Sequence, residues 1–141
     1  MNDLVPVEIS RLVLQQKGEP QYVHLRVLDS ERSFPIVIGF HEAAEIYRKL
    51  ANEAFERPMT HDLIGRILDA TNRSLRRVII NAITEGTFHA MLDLTLEPGF
   101  DDEDDNPFID CRPSDAIALA AQFQTPIFVK REVLDAVAPE G

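Results

Sequence analysis

The first forty residues alternate between apolar and polar side chains in a way that predicts three β-strands. Residues 5–10 and 22–27 each place every second, apolar side chain on one face, as expected for strands with one buried side. A polar turn containing Gly18 and Pro20 separates them, so the pair is predicted to form a hairpin. Residues 34–39 form a short, almost wholly apolar run that ends at glycine, which predicts the third strand.

After position 41 the apolar spacing changes to three and four residues, which predicts an amphipathic helix. Its predicted apolar side contains Ala43, Ile46, Tyr47, Leu50 and Ala54. Glu45 and Lys49 are four residues apart and are predicted to pair on the solvated side of this helix.

A second helix is predicted after the break at Arg57-Pro58-Met59. Thr60 is suited to its N-cap, and Asp62 to its first turn, where the helix dipole favours an anion. Its apolar stripe is predicted to be Leu63, Ile64, Ile67 and Leu68.

The second half of the chain begins with a long β-hairpin, predicted over residues 77–84 and 87–97 around Glu85-Gly86. The second arm alternates cleanly, so one face should pack on helices and the other, with His89 and Met91, should meet solvent or a partner. An acidic loop is predicted over residues 98–107. The remaining predicted elements are a strand over residues 108–111, a helix from Pro113 or Ser114 to Phe123, a strand over residues 126–129 and a helix over residues 131–137.

The composition favours one compact domain of 141 residues, with 45% hydrophobic and 27% charged residues. Its single cysteine, Cys111, excludes an internal disulfide and a cysteine-rich zinc site. No apolar run approaches the roughly 18 residues of a membrane span, and no signal peptide is visible. We therefore expect a cytoplasmic protein that does not enter a membrane.

The formal net charge of −10, from 14 basic and 24 acidic side chains, argues against a protein that binds nucleic acid by charge alone. It does not exclude a small site, because metal-assisted hydrolysis itself needs carboxylates. The charge is uneven, since seven of the acids and none of the bases fall within residues 97–110. The run from Asp101 to Asp105 lacks the spaced ligands of an EF-hand, so we interpret it as a solvated loop.

Two segments combine arginine, proline, a hydroxyl group and an aspartate at a predicted helix start. They are Arg57-Pro58-Met59-Thr60-His61-Asp62 and Arg112-Pro113-Ser114-Asp115. Free backbone N–H groups and the helix dipole favour phosphate there, and a guanidinium matches phosphate oxygens. His61 is a candidate general acid or base, and Asp62, Asp110 and Asp115 are candidate ligands of a divalent cation.

The same residues allow a structural interpretation. Thr60 and Ser114 are good helix caps in any protein, and Arg57 and Arg112 can simply pair with the neighbouring aspartates. Three histidines are expected at the surface or at the rim of a site: His24, His41 and His89.

Two further groups have plain interpretations. Glu42 and Glu45 are expected to serve the dipole and the solvated face of the first helix. Cys111 is expected to be a buried, inert thiol, because no second cysteine or paired histidine stands nearby in the sequence.

Five runs occur in a fixed order along the chain. They are Pro35-Ile36-Val37-Ile38-Gly39 with Glu42-Ala43, Arg57-Pro58-Met59-Thr60-His61-Asp62-Leu63, Gly86-Thr87-Phe88-His89-Ala90, Asp110-Cys111-Arg112-Pro113-Ser114-Asp115-Ala116 and Pro126-Ile127-Phe128-Val129. Together they closely resemble the bifunctional nuclease domain family over roughly residues 5–137. The combination of the two Arg-Pro runs makes the resemblance specific.

The resemblance implies one α+β domain over residues 1–141, with a mixed, mostly antiparallel sheet that is partly closed like a barrel and flanked by about four helices. It also implies a homo-oligomer and a nuclease that hydrolyses phosphodiester bonds in RNA and DNA. A divalent cation, Mg²⁺ or Mn²⁺, would assist the reaction. The implied site consists of catalytic His61, Asp62 and Asp115, phosphate-binding Arg57, Thr60, Arg112 and Ser114, and metal-binding Asp62, Asp110 and Asp115.

Two positions depart from the family pattern. Val37 stands where the family usually has tryptophan, which removes a stacking contact, and the acidic loop is longer than usual and would repel nucleic acid near Asp110.

The alternative is a non-catalytic module in which the Arg-Pro helix starts bind a small anion or pack as a clasp at an oligomer interface. Burial and mutual pairing of Arg57, His61, Arg112 and Asp115 would favour the clasp. An open cleft lined by the same residues would favour the nuclease.

Overall fold

A computed structural model describes residues 3–53, 57–96 and 107–139. The strands are β1 (Leu4–Val13), β2 (Gln21–Val27), β3 (Ser33–Ile38), β4 (Arg73–Thr84), β5 (Thr87–Leu96), β6 (Phe108–Cys111) and β7 (Ile127–Lys130). The helices are α1 (Phe40–Leu50), α2 (Thr60–Ala70), α3 (Pro113–Phe123) and α4 (Arg131–Val137). Apart from Pro107, the predicted acidic loop lies outside the described residues. No helix in these ranges is long and apolar enough to cross a membrane.

The described strands form one mixed sheet in the order β3-β2-β1-β7-β4-β5-β6. Neighbours run antiparallel except β4 and β7, which are parallel. The predicted α+β class is therefore confirmed. The sheet is not closed, but it curls far enough that Phe34 of β3 stacks on Phe88 of β5, with the ring centroids 5.8 Å apart.

The hydrophobic core lies between the concave face of this sheet and the helices. In β2, β3 and β7 every second residue is buried, and for β2 this is the alternation that predicted the strand. Helix α3 is apolar nearly all round, and its residues from Ala116 to Ala120 are all buried, so it forms the centre of the core. Helix α1 packs beside it through Ala43 and Ile46.

Helix α2 approaches α3 closely at a glycine. A Cβ atom at Gly65 would lie 2.7 Å from Gln122 Nε2 and 2.9 Å from Phe123 Cζ, closer than such atoms normally come. A side chain at this position would therefore have to displace the ends of the Gln122 and Phe123 side chains of α3.

The predicted apolar stripe of α2 is half wrong. Leu68 is buried and Ile64 is partly buried, but Leu63 and Ile67 are 50% and 52% exposed. The physical reason is the contact at Gly65, which turns the Gly65 and Leu68 side of α2 toward the core instead.

The predicted buried side of α1 is also partly wrong. Ala43 and Ile46 are buried as expected, but Tyr47 and Leu50 are both 49% exposed. Arg48 takes the buried position instead, because it is neutralised by carboxylates from α1 and α2.

Strand β4 begins at Arg73, four residues before its predicted start. Its pairing with β5 is interrupted between Leu75 and Arg77 and again between Ile80 and Ala82. Each interruption shifts the alternation by one residue, so a simple two-residue period cannot detect the whole strand.

Candidate functional site

A cleft of about 800 Å³ opens where the curled sheet brings β3, the β4–β5 turn and the start of α3 together. One wall is apolar and comes from β3, including the exposed Val37. The polar side chains of the cleft are Glu42, Thr87, His89, Asp110, Arg112, Ser114 and Asp115. The run that begins at Asp110 therefore lines this cleft.

The start of α3 is built by three neighbouring residues. Arg112 has an extended backbone and is the N-cap, Pro113 occupies the first helical position, and Asp115 lies in the first turn. Proline suits that position because its missing N–H would have no partner there, and the aspartate suits the positive end of the helix dipole.

Arg112 is held by two carboxylates. Its Nε and Nη2 donate to Asp115 Oδ2 and Oδ1 at 3.0 and 2.9 Å, and its Nη1 donates to Glu42 Oε2 at 2.9 Å. These bonds raise the pKa of the guanidinium further above its ordinary range. The side chain is nonetheless 60% exposed, so the guanidinium is fixed in place and still faces the cleft.

Glu42 reaches Arg112 from the first turn of α1. Its carboxylate occupies the space that a Cβ at Gly39 would need, so glycine at the N-cap of α1 makes room for it. A backbone N–H bond and the hydrogen bond from Arg112 lower the pKa of Glu42. The expectation that Glu42 serves only the dipole and the solvent is therefore incomplete.

Asp115 connects Arg112 to His61. His61 Nε2 lies 3.1 Å from Asp115 Oδ1, and its Nδ1 lies 3.4 Å from Glu45 Oε2. Burial by itself would raise the pKa of Asp115, but hydrogen bonds from Arg112 and His61 outweigh it, and the net shift is downward. His61 is itself buried and lies behind Asp115, outside the lining of the cleft.

A second group of charges joins α1 to the start of α2. Arg48 binds Glu45 Oε2 at 2.8 Å and Asp62 Oδ2 at 3.0 Å, and Lys49 donates to Asp62 Oδ1. Burial would raise the pKa of Asp62, but the bonds from Lys49 and from the backbone N–H of Met59, with the charge of Arg48, hold it at about 2.

The prediction that Glu45 and Lys49 lie on the solvated side of α1 is wrong. Their side chains are only 13% and 6% exposed, because both lie between α1 and the start of α2. The residues that the sequence reasoning missed are Glu42, Glu45 and Arg48. They stand three residues apart on one helix face, and that spacing is the signal that would have found them.

The other predicted site residues do not share one location. Thr60 is the first helical residue of α2 and not its N-cap, which is Met59. Arg57 and Thr60 are exposed and do not line the cleft, whereas Ser114 lines it from a buried position. Burial raises the pKa of Cys111, a half-buried free thiol, to about 12, which makes it a poor nucleophile.

The three predicted metal ligands are not brought together. Asp62 is paired with Lys49 and Arg48, Asp115 is paired with Arg112, and only Asp110 faces the cleft without an ion pair among the described residues. Within those residues no group of three acidic, histidine or cysteine side chains is arranged to hold a cation. This donor set does not fit a divalent metal ion.

The residues that line the cleft and the charged residues between the helices all lie within the part of the chain that matches a known protein family. A family model described as the bifunctional nuclease domain matches residues 23–140. Two proteins from two strains of Mycobacterium tuberculosis, both described only as uncharacterized, are each 35% identical to this chain over 128 residues. That match covers 91% of this chain and 73% of each relative.

Proposed function

The chain belongs to the bifunctional nuclease domain family, and on that premise we propose that it hydrolyses phosphodiester bonds of RNA and DNA in the cleft at the start of α3. The observation that carries the proposal is the exposed guanidinium of Arg112. Three of its five N–H groups bind Glu42 and Asp115, so two remain for a ligand. Phosphate oxygens accept such a pair in a bidentate geometry, and the positive end of the α3 dipole favours the same anion.

Asp115 and His61 act as positioning residues for Arg112. Asp115 binds one edge of the guanidinium with both oxygens, and buried His61 fixes Asp115 from behind. Arg112 thus meets the phosphate with little loss of side-chain freedom, which conserves binding free energy for the transition state.

The reacting groups are carboxylate and imidazole side chains on neighbouring strands. Met91 pairs with Asp110, and His89 lies two residues from Met91 on the same face, so Asp110 and His89 are diagonal neighbours about 7–8 Å apart. In the proposed reaction Asp110 accepts a proton from the attacking water, and the water oxygen bonds to phosphorus. Arg112 stabilises the charge on the phosphoryl oxygens, and His89 donates a proton to the leaving oxygen.

The test is cleavage of labelled single-stranded RNA and DNA by the pure protein, in EDTA and, separately, in Mg²⁺ or Mn²⁺. We expect Arg112→Gln to lower kcat/KM by about 100-fold, the effect of removing one transition-state donor. Arg57→Gln is the matched control, because it changes the same residue type outside the cleft, and it should cleave as the wild type does.

Two results would reject this proposal. Absence of cleavage by the folded wild type under all three conditions rejects the nuclease function. Equal loss of activity in Arg112→Gln and Arg57→Gln rejects the cleft as its location.

A second candidate is a module that binds a small anion without cleaving it. The observation that favours it is that no group of three possible metal ligands is assembled within the described residues, while Arg112 still faces the cleft. This candidate expects a nucleoside monophosphate to bind at Arg112, measured by calorimetry, while oligonucleotides stay intact.

A further inference from the structure

The outer face of the sheet is the face turned away from the buried core, and the strand register defines its residues. Arg77, Ile79 and Met91 alternate with the core residues of β4 and β5, and Phe128 alternates with those of β7. The core clusters on the opposite, concave side with the helices. None of the described residues of this face belongs to the ion pairs that join α1, α2 and α3.

Positive charge predominates on the outer face although the chain as a whole carries −10. Its strands present five cationic side chains against three carboxylates. The cationic residues are Arg11, Arg26, Arg76, Arg77 and Lys130, and the acidic residues are Glu8, Asp93 and Asp110. In a chain with ten more acidic than basic side chains, such a local surplus of cations favours an anionic partner at this face.

Two arginines of this face share a single buried carboxylate. The irregularity of β4 between Leu75 and Arg77 lets both Arg76 and Arg77 reach Asp93 Oδ2, at 2.9 and 2.6 Å. Asp93 is 1% exposed and neutralises only one of the two guanidiniums. Arg76 is 55% exposed, so within the described residues these two arginines and Asp93 together carry a net charge of +1 that faces the solvent.

Aromatic rings stand beside these cations. The guanidinium carbon of Arg77 lies 5.9 Å from the ring centroid of Phe128. Phe108 pairs opposite Asp93 on the edge strand β6 and is 52% exposed. Arginine planes and exposed aromatic rings on a sheet surface are the groups on which unpaired bases stack, while the cations contact the phosphates.

We infer that the outer face binds single-stranded nucleic acid and leads it from Arg76 and Arg77 across Phe108 to Asp110 and the cleft. This inference rests on the proposed nuclease function, whose substrate it provides with a path. Two strand spacings separate Arg77 from Phe108, and two residues along β6 lead to Asp110, so the path is about 16 Å long. A longer oligonucleotide would contact the whole face, whereas a dinucleotide would occupy the cleft alone.

The test uses one variant that combines three substitutions, Arg76→Gln, Phe108→Ser and Lys130→Gln. Its control is Arg66→Gln, which removes an exposed cation from α2. Fluorescence anisotropy measures the affinity for a labelled single-stranded oligonucleotide of about 12 nucleotides, a length that a small binding face covers. We expect the variant to bind about tenfold more weakly. Because two phosphate contacts are lost, the slope of log K against log salt should fall by about 1.4.

Cleavage assays separate this inference from the proposed function. We expect the variant to raise KM for the long oligonucleotide and to leave the cleavage of a dinucleotide unchanged. If the wild type cleaves no substrate but the variant still loses affinity for the oligonucleotide, binding at the outer face is supported and the nuclease function is rejected. If the variant binds and cleaves the long substrate as the wild type does, the face is wrong.

Sedimentation velocity tests the competing occupant, a second copy of this chain. A wild-type dimer that becomes monomeric in the variant, with unchanged oligonucleotide affinity, would overturn the inference in favour of a protein interface. If the combined variant does not fold, Phe108→Ser with Lys130→Gln retains both partners of Asp93 and answers the same question.

Discussion

The two Arg-Pro helix starts are similar in sequence and different in structure. Counted back from the first-turn aspartates, Asp62 and Asp115, the N-cap of α2 is Met59 and the N-cap of α3 is Arg112. Arg57 therefore lies two residues outside its helix, whereas Arg112 is the cap itself. Because of this difference of two residues in position relative to the helix, Arg112 binds the first-turn Asp115 and lines the cleft, and Arg57 does not line it.

The aspartates differ in the same way. Asp62 faces inward to Lys49 and Arg48 and belongs to the packing of α1 against α2. Asp115 faces Arg112 and lies at the wall of the cleft. The charges of one start thus lie between two helices and those of the other lie at the cleft, with His61 linking α2 to Asp115.

The largest expected effect comes from Asp115→Ala, because this change removes the link between the two helix starts. It leaves the buried His61 Nε2 without a partner and removes two of the three hydrogen bonds of Arg112, and we expect a loss of about 3 kcal/mol in the free energy of unfolding. Urea denaturation measures it. A loss no greater than that of an exposed control such as Asp69→Ala would contradict the assigned role of Asp115.

The next effect in size is the pH dependence that Asp62 contributes. Its pKa is about 2 in the folded protein against an ordinary value of 3.8, so its contribution is fully present above pH 3.8 and is lost as the pH falls toward 2. The shift corresponds to about 2 kcal/mol.

Asp62→Asn should therefore flatten the acid limb of the stability curve between about pH 4 and about pH 2. Urea midpoints measured across that range test this. Wild type and variant losing stability in parallel would show that Asp62 is not the group responsible.

A smaller effect is expected from deleting residues 100–106, which contain five acidic side chains. In the sequence the segment lies between β5 and β6 and ends four residues before Asp110, so we expect its negative charge to act on the Arg112 start more than on the Arg57 start. We expect nucleic-acid binding to strengthen about threefold at low salt and less at high salt.

The control for the deletion keeps the length and replaces the five acids by their amides. It should strengthen binding to the same extent as the deletion does. Unchanged binding in both proteins would mean that the acidic charge does not act on the site.

The smallest effect is expected from Arg57→Ala. Arg57 is exposed, so the free energy of unfolding should change by less than about 0.5 kcal/mol. A loss near that of Asp115→Ala would show that the two Arg-Pro starts are equivalent after all.

The strands and helices were predictable where one physical period dominates. The alternation of β5 and the apolar α3 gave both elements near their observed bounds. Tyr47, Leu50, Leu63 and Ile67 were misplaced because apolar spacing reports a helix but not which side meets the core. The close contact at Gly65 and the burial of Arg48 determine which side of each helix faces the core, and neither can be recognised from the spacing of apolar residues.

Part of the candidate site was also predictable. The run from Asp110 to Asp115 gave the residues that line the cleft, since they are close in sequence and follow one strand into one helix. The partner Glu42 comes from a helix about 70 residues earlier, and sequence order carries no information about that contact. For the same reason Asp62 could not be separated from the cleft without the fold.

The close approach at Gly65 has a mechanical consequence for the site. Gly65 lies one turn after His61 on α2, and both face α3, so the distance between the helix axes sets the His61–Asp115 separation. A hydrogen bond of 3.1 Å has little tolerance for stretching before it is lost. A single added methyl group at Gly65, far from any reacting atom, would act on this contact through the ends of the Gln122 and Phe123 side chains, which would have to move to make room.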